Sequence, residues 1–156
     1  MSTGVQDRAP ADAIPAERTE RRPVLLLSFD IMFDEQAVAE AIDFALEAST
    51  ELLVCLANTL PMANANAAAR RHMGNPVVRE QMAEIVRSAR AAGADARSLV
   101  YNAPRPMNAL FGVVRNHGIG LVVFGPNRKS YGRWRYRWHL RRIRRGADCL
   151  VWPLEA

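Results

Sequence analysis

The chain has 156 residues, of which 49% are hydrophobic and 24% charged, a composition typical of one soluble globular domain that buries its own core. Its two cysteines, Cys55 and Cys149, exclude a disulfide framework and a four-cysteine zinc site. No apolar run approaches the roughly 18 residues of a membrane span, and the N-terminal acidic residues argue against a signal or transit peptide, so we expect a cytoplasmic protein.

The net charge of +5 is unevenly distributed along the chain. Residues 1–78 contain six basic and eleven acidic residues, whereas residues 79–156 contain fifteen basic and five acidic ones. Within the basic half, residues 128–145 carry nine cations and no acid. Such a segment is typical either of a solvated face or of a surface that binds an anionic partner.

The first elements are a tail, a buried strand and a helix. Residues 1–22 are rich in alanine, proline and charge without a sustained period, which predicts a disordered tail ahead of a folded domain at residues 23–156. The continuous apolar run over residues 24–29 is typical of a parallel strand that is covered on both faces. Asp34 then offers an N-cap for a helix that continues to about Ser49.

A second apolar strand, at residues 52–56, leads into a long segment of weak periodicity. The length of this segment, residues 59–75, predicts a loop that either covers a pocket or is disordered. Asn75 and Pro76 form a typical helix start, and Gly93 a typical helix end. The chain therefore continues its alternation of strand and helix.

The same alternation runs to the end of the chain. The pattern predicts a strand at residues 96–101, a helix opened by Pro104 and Pro106, a strand at 119–124, a basic helix ending near Gly146, and a short strand at 149–152. Strict alternation predicts an α/β fold with a five-stranded parallel sheet and helices on both faces. Ligands of such sheets bind at the carboxyl ends of strands, so the loops after Phe29 and Phe124 are the candidate site.

The sequence resembles the universal stress protein family over residues 23–153, and three stretches carry the resemblance. The first stretch comprises the strand that ends in Asp30, the alanine-rich helix after it and the strand TELLVCL at residues 50–56. The second is HGIGLVVFG at residues 117–125, and the third is ADCLVW at residues 147–152. The resemblance implies a Rossmann-like fold of the adenine-nucleotide alpha-hydrolase-like type. It also implies a homodimer that pairs through the closing strand, formed by Cys149, Leu150, Val151 and Trp152.

One branch of this family binds ATP, and the resemblance implies which residues would do so. That branch uses an aspartate at the end of the first strand, matched by Asp30. It also uses a loop after the fourth strand with the pattern Gly, two residues, Gly, nine residues, Gly, and Ser or Thr, of which Gly125 matches the first position. Glycines in such a loop let backbone N–H groups approach phosphate oxygens.

The remainder of the ATP-binding pattern differs in this sequence. Ile31 and Met32 replace the usual Gly-Ser, Pro126 offers no N–H, and the later glycine and hydroxyl positions fall on Arg128, Trp138 and His139. We therefore expect the backbone phosphate cradle to be lost. For a cofactor site at Asp30, Gly125, Arg128 and Lys129, two alternatives remain. Arginine or lysine side chains, Arg133 included, hold phosphates instead, or these cations are solvated or fill the pocket.

Residues 128–145 combine arginines with aromatic residues. Helical spacing places a core-facing stripe at Tyr136, Leu140, Ile143 and Ala147. If the helix begins near Gly132, the outward residues form a partner surface of Trp134, Trp138, Arg141, Arg142 and Arg145. Such residues suit a protein partner, a polyanion such as nucleic acid, or an anionic membrane surface. If the helix begins near Trp138, Trp134 instead folds over the sheet edge.

No set of residues with catalytic or metal-binding chemistry is found in the sequence. His72, His117 and His139 lack the spacing of a zinc site, and no Gly-x-Ser-x-Gly elbow is present. Cys55 and Cys149 lie in predicted strands, where thiols are usually inert. The arginines around His139 disfavour its charged form, which would suit a general base.

We therefore expect a non-enzymatic binding and regulatory domain of the universal stress protein type, acting in stress response, homodimeric and without strong ATP binding. One alternative is an ATP- or nucleotide-binding switch that uses Asp30, Gly125 and arginine side chains. Another is polyanion or nucleic-acid binding through residues 128–145. ATP hydrolysis is a further alternative, and it requires both a base and a phosphate cradle.

Overall fold

The structure is a computed structural model that describes residues 22–60 and 74–154. The predicted tail, apart from Arg22, and most of the predicted loop at residues 59–75 lie outside the described residues. Strands and helices alternate in the order β1 (Val24–Phe29), α1 (Glu35–Ala48), β2 (Leu52–Thr59), α2 (Pro76–Ala91), β3 (Ala96–Ala103), α3 (Pro106–His117), β4 (Leu121–Phe124), α4 (Arg128–Tyr131), α5 (Arg133–Gly146) and β5 (Leu150–Trp152).

The five strands form one parallel sheet in the order β3-β2-β1-β4-β5. From β1 the chain moves outward to β3 and then crosses to β4 and β5 on the other side. Right-handed crossovers therefore place α1 and α2 on one face and α3 and α5 on the other. In agreement, α1 contacts β1 and β4, α2 contacts β2 and β3, and α3 contacts α5. The predicted fold class is confirmed, with the switch point between β1 and β4.

The centre of the core is made by β1, β2 and α1. Every residue of β1 is buried, as is every residue of β2 except Thr59. The face of α1 that meets the sheet presents Ala37, Ala41 and Ala45, all buried. Because these side chains are small, the helix backbone lies close to the strands beneath it.

The helix boundaries follow the capping signals in the sequence. The Asp34 carboxylate accepts a hydrogen bond from the Gln36 backbone N–H at 2.9 Å, and the Asn75 side chain accepts one from Val77 N–H at 2.9 Å. Helix α3 ends where Gly118 adopts a left-handed conformation, with φ of 63°. The caps at Asp34 and Asn75 were predicted from the sequence, because a cap bonds within its own turn.

Several strand boundaries differ from the prediction. Strands β2 and β3 continue to Thr59 and Ala103, because they pair with each other along their whole length. Strands β4 and β5 begin later, at Leu121 and Leu150. Cys149, predicted as part of the dimer strand, therefore precedes β5.

The basic segment forms two helices instead of the single predicted one. Gly132 separates them with φ of 88° and ψ of 141°, a conformation that glycine adopts without a steric penalty. Because α5 starts at Arg133, the early start is correct and the start near Trp138 is wrong. Trp134 and Trp138 are 80% and 57% exposed. The predicted stripe is buried at Tyr136, Leu140 and Ile143.

Among the described helices, none has the length and apolar character needed to cross a lipid bilayer.

Candidate functional site

The loops after β1 and β4 lie side by side at the switch point and are joined by backbone hydrogen bonds. Gly125 N–H donates to the Leu27 carbonyl at 2.9 Å, and Asp34 N–H donates to the Gly125 carbonyl at 2.9 Å. Asn127 N–H donates to the Met32 carbonyl at 2.8 Å. These N–H groups are therefore used within the fold.

The following residues use their N–H groups in the same way. The Asn127 side chain accepts from the N–H groups of Lys129 and Ser130 at 3.1 and 3.3 Å. The N–H groups of Tyr131 and Gly132 donate to carbonyls of the preceding turn. A backbone cradle needs several N–H groups directed at one anion, and six N–H groups of residues 125–132 have other acceptors. This geometry supports the expectation that the phosphate cradle is lost.

Gly125 has a packing role in this structure. A Cβ added there would lie 2.4 Å from Ala37 Cβ and 3.1 Å from Leu26 Cδ1. The missing side chain therefore lets the end of β4 approach α1. This close packing is sufficient to explain why residue 125 is a glycine, so the match of Gly125 to the ATP-binding pattern does not require a ligand.

Aromatic rings cover the carboxyl ends of β1 and β4. We call Phe29, Phe124, Tyr131 and His139 the aromatic cluster. The Phe29 ring centroid lies 5.8 Å from that of Phe124 and 5.7 Å from that of His139, and Tyr131 lies 5.8 Å from Phe124. Tyr131 is buried, and its hydroxyl is hydrogen-bonded to His139 Nδ1. The cluster thus occupies space at the switch point that ligands of this fold class commonly use.

His139 is neutral at physiological pH. Burial of the ring, together with the nearby guanidinium groups of Arg135 and Arg142, lowers its pKa from 6.5 to about 4. Burial also raises the pKa of Tyr131, which keeps that hydroxyl protonated. The hydroxyl and Nδ1 share one hydrogen, and the tautomer of the ring determines which of the two atoms donates it.

Asp30 connects the ends of β1 and β2. Its carboxylate accepts from Thr59 N–H at 2.7 Å and from the Thr59 hydroxyl at 2.8 Å. Its backbone has φ of 63°, a left-handed conformation that is uncommon outside glycine but tolerated by aspartate. The predicted site residue thus has a structural role and also lines a cleft.

This cleft, which we call the first cleft, has a volume of about 360 Å³ and opens at the carboxyl ends of β1 and β2. Ligand pockets in proteins span about 300–1,000 Å³, so its size is at the lower end of that range. Its polar lining comes from four regions of the chain and consists of Asp30, Thr59, Arg105, Asn108, Arg135, His139 and Arg142.

Three guanidinium groups give the first cleft a positive charge. The Arg105 guanidinium has no hydrogen-bond or ion-pair partner within residues 22–60 and 74–154. Arg135 lies over the Tyr131 ring, 4.3 Å from its centroid, and Arg142 donates a hydrogen bond to the Asn108 side chain. Asp30 is the one acid among the described lining residues. The cleft therefore suits an anion that also carries hydrogen-bond donors.

A second cleft, of about 510 Å³, lies on the opposite flank of α5 and contains Arg128 and Lys129. Arg128 is engaged there, with its Nε 3.6 Å from Asp34 Oδ2. The structure therefore separates the predicted cofactor residues. Asp30 lines the first cleft, Arg128 and Lys129 line the second, and Gly125 packs between the strands and α1.

The predicted partner surface divides in a similar way. Trp134, Trp138, Arg141 and Arg145 are all exposed on the outward side of α5. Arg142 instead lies on the flank of α5 that faces α3, where it contacts Asn108. Arg142 therefore belongs to the first cleft as well as to the neighbourhood of Trp138.

The cleft residues that the sequence did not indicate are Arg105, Asn108 and Arg135. A signal for the first of them was available, because Arg105 stands between Pro104 and Pro106 at the carboxyl end of β3. The carboxyl ends of parallel strands meet at one edge of the sheet. This rule applies to the end of β3 as much as to β1 and β4.

The predicted dimer strand lies at the edge of the sheet, where β5 pairs with β4. Leu150 is 74% exposed, and its N–H donates to the Gly120 carbonyl at 3.3 Å. Alternate residues of a parallel strand bond to the same neighbour, so the peptide groups of Val151 face the open edge. Trp152 is anchored to α1, since its indole N–H donates to Glu40 at 2.9 Å.

The other reactive side chains do not assemble into a site. Within the described ranges, no three or more His, Cys, Asp and Glu residues lie close enough to hold a metal ion. Cys55 is completely buried, and burial raises the pKa of its thiol. Burial also raises the pKa of Cys149. Both thiols are therefore poor nucleophiles at neutral pH.

Solved universal stress protein structures are similar to this chain. One, in complex with cAMP, has a TM-score of 0.57 at 19% identity and covers 86% of this chain and 97% of that chain. Another, from Burkholderia pseudomallei, has a TM-score of 0.57 at 16% identity and covers 88% and 98%. A third, from Archaeoglobus fulgidus in complex with dAMP, has a TM-score of 0.59 at 12% identity and covers 85% and 97%.

No protein-family model and no curated protein matches the chain. The similarity to solved structures extends over nearly the whole length of both chains, and it agrees with the strand order and helix placement described above. At these sequence identities the similarity establishes the architecture. The chain has the fold of the universal stress proteins.

Proposed function

We propose that this chain is a non-catalytic binding and regulatory domain of the universal stress protein type, whose first cleft binds a nucleoside monophosphate. The observation that carries the proposal is the convergence of Arg105, Arg135 and Arg142 on a cleft at the carboxyl ends of the strands. Solved structures of the same fold hold cAMP and dAMP. These ligands define the chemical class that we assign to the cleft.

The side chains of the first cleft match the two parts of such a ligand. Guanidinium groups bind phosphate oxygens with two parallel hydrogen bonds, and such charge-assisted bonds are stronger than neutral ones. Each carboxylate oxygen of Asp30 bonds Thr59 once and retains a lone pair for a ribose hydroxyl or a base amino group. The nucleotide is thus held by side chains.

A triphosphate is a poorer ligand under this proposal. Six N–H groups of residues 125–132 are hydrogen-bonded within the chain. The aromatic cluster fills the switch point beside them. The ATP-binding switch stays an alternative that the titration below tests directly.

The proposal that the domain is non-catalytic rests on the chemistry of His139. A ring with a pKa of about 4 is a weak base at neutral pH, and general bases work best when their pKa lies near the operating pH. Bound nucleotide is therefore expected to remain intact, with no release of phosphate.

We also place the homodimer at the open edge of β5. The outward N–H and C=O groups of Val151 and the exposed side chain of Leu150 are available to a second copy of the strand. Pairing two edges would continue the sheet across the dimer and satisfy backbone groups that an isolated edge leaves to water.

Calorimetric titration of AMP into nucleotide-free protein tests the ligand proposal. Arg105→Gln is the informative variant, because this exposed side chain has no partner that its removal would leave unpaired among the described residues. Losing one charged hydrogen-bond partner costs about 1.5–3 kcal/mol, or roughly 10- to 100-fold in affinity. Arg87→Gln, on the exposed side of α2, is the matched control.

The titration has clear opposing outcomes. Absence of heat up to millimolar AMP, or equal affinity of the wild type and Arg105→Gln, would reject the proposal. ATP that binds more tightly than AMP and is unaffected by Arg105→Gln would favour the switch. Asp30→Ala is a poor control, since it also removes both hydrogen bonds to Thr59.

A further inference from the structure

The outward side of α5 presents exposed side chains that do not line the first cleft. Positions i, i+4, i+7 and i+11 of a helix fall on one stripe. In α5 that stripe holds Trp134, Trp138, Arg141 and Arg145. We call these four residues the tryptophan–arginine face, and Arg137 and Arg144 lie beside it.

The two indole rings of this face are unusually open to solvent. Trp134 is 80% exposed and Trp138 is 57% exposed. The other exposed large hydrophobic residues among those described are Leu46, Val77, Leu150 and Trp152, none of them on α5. Since tryptophan is on average highly buried in folded proteins, two open rings one helical turn apart indicate a binding surface.

Within residues 22–60 and 74–154, no acidic side chain forms an ion pair with this face. Helix α5 contains seven arginines and no acidic residue. In the part of the chain that the structure describes, the ion pairs involve Arg97 and Arg128, neither of which lies on α5. Arg141 and Arg145 therefore present their charge to solvent and favour a polyanionic partner.

The combination of exposed aromatic rings and arginines favours a nucleic acid over an anionic membrane surface as the partner. Bases stack on exposed aromatic rings while arginines neutralise phosphates, and Trp134 and Trp138 are separated by about 6 Å along the helix. A membrane-surface helix needs a broad apolar face. In α5 that face, formed by Tyr136, Leu140 and Ile143, is buried in the core. A single-stranded nucleic acid is the partner that uses both residue types.

We propose that the tryptophan–arginine face binds single-stranded nucleic acid without sequence preference, through stacking on Trp134 and Trp138 and phosphate contacts from Arg141 and Arg145. None of these four side chains lines the first cleft. Arg142 does line it and also lies over the Trp138 ring, 5.8 Å from the ring centroid. The substitutions of Arg141 and Arg145 below therefore separate the two proposals, and either can fail without the other.

Fluorescence anisotropy with a labelled oligothymidylate of about 20 nucleotides, longer than the site of one binding module, tests this proposal. An abasic strand of equal length is the key comparison, because it has the same phosphates but no bases to stack. We expect the oligothymidylate to bind about 5-fold or more tightly than the abasic strand, since stacking one base contributes about 1–3 kcal/mol. An oligouridylate shows whether RNA is bound as well.

Two pairs of substitutions separate stacking from charge. Replacing both tryptophans by alanine is expected to abolish the preference over the abasic strand, whereas replacing both by phenylalanine retains it. Arg141→Gln with Arg145→Gln is expected to reduce the slope of log affinity against log salt by about 1.4, because each phosphate that an arginine neutralises on a single strand contributes about 0.7. Arg87→Gln is the control, and because all these side chains are exposed the variants should fold.

Three outcomes would overturn the proposal. Equal binding of the abasic strand and the oligothymidylate would mean that the surface is only a polyelectrolyte. Binding that the double tryptophan variant leaves unchanged would place the contact elsewhere. Tighter binding to vesicles of phosphatidylglycerol and phosphatidylcholine than to either strand would identify a membrane surface instead.

Discussion

His139 makes the stability of this fold dependent on pH. Burial and the neighbouring Arg135 and Arg142 hold its pKa at about 4 in the folded chain, compared with 6.5 in the absence of these effects. Between these values the unfolded chain binds a proton that the folded chain does not. The contribution of His139 to stability is therefore complete above about pH 6.5 and is lost as the pH falls toward 4.

The size of the effect follows from the two pKa values. A difference of 2.5 units corresponds to an upper limit of about 3.4 kcal/mol, at about 1.36 kcal/mol for each unit. The part lost between pH 7 and pH 5 is about 1.8 kcal/mol by the same relation. Because the ring is only partly buried, solvent screening reduces this to about 1 kcal/mol.

Urea denaturation at pH 7, 6 and 5, followed by circular dichroism, measures this loss. His139→Asn is the reference variant, since its side-chain amide can either accept from or donate to the Tyr131 hydroxyl but does not titrate. We expect the wild type to lose about 1 kcal/mol more than the variant between pH 7 and pH 5. Equal losses, or a wild type that becomes relatively more stable in acid, would refute the electrostatic reasoning.

Two further predictions concern packing and assembly. Gly125→Ala should reduce the free energy of unfolding by about 1–3 kcal/mol, because its Cβ would lie 2.4 Å from Ala37 Cβ. Gly112→Ala in α3, where an added Cβ meets nothing within 4 Å, should instead raise the free energy of unfolding by up to about 1 kcal/mol. Urea denaturation of the two variants compares these effects. Val151→Pro removes an N–H that faces the open edge of β5 and should convert a dimer to monomers in light scattering, whereas an unchanged dimer mass would exclude pairing through this edge.

Much of the architecture follows from short-range features of the chain. The apolar run of residues 24–29 required a strand covered on both faces, and Asp34 with the Asn75–Pro76 pair located two helix starts. The spacing of Tyr136, Leu140 and Ile143 identified the buried side of α5 and hence the outward tryptophans. These features are readable because a strand, a cap or a helix face is determined by residues within a few positions of one another.

The lengths of the strands and the start of α5 could not be predicted from the sequence alone. β2 and β3 extend to Thr59 and Ala103 because each provides hydrogen-bond partners for the other. The start of α5 depends on Gly132, whose position within a run of good helix formers allowed either an early or a late start. Pairing between strands depends on residues distant in sequence, whereas the helix start depends on the conformation that Gly132 adopts in the folded chain.

The residue pattern alone predicts the alternation of elements, the parallel sheet and the chemical character of residues 128–145. The division of the candidate site, by contrast, follows from how the elements pack. It separates Asp30 from Arg128 and Lys129 by placing α5 between two clefts, and it adds Arg105 from the end of β3. The physical reason is that a cleft is defined by side chains distant in sequence, and that hydrogen bonds between loops determine which backbone groups remain for a ligand.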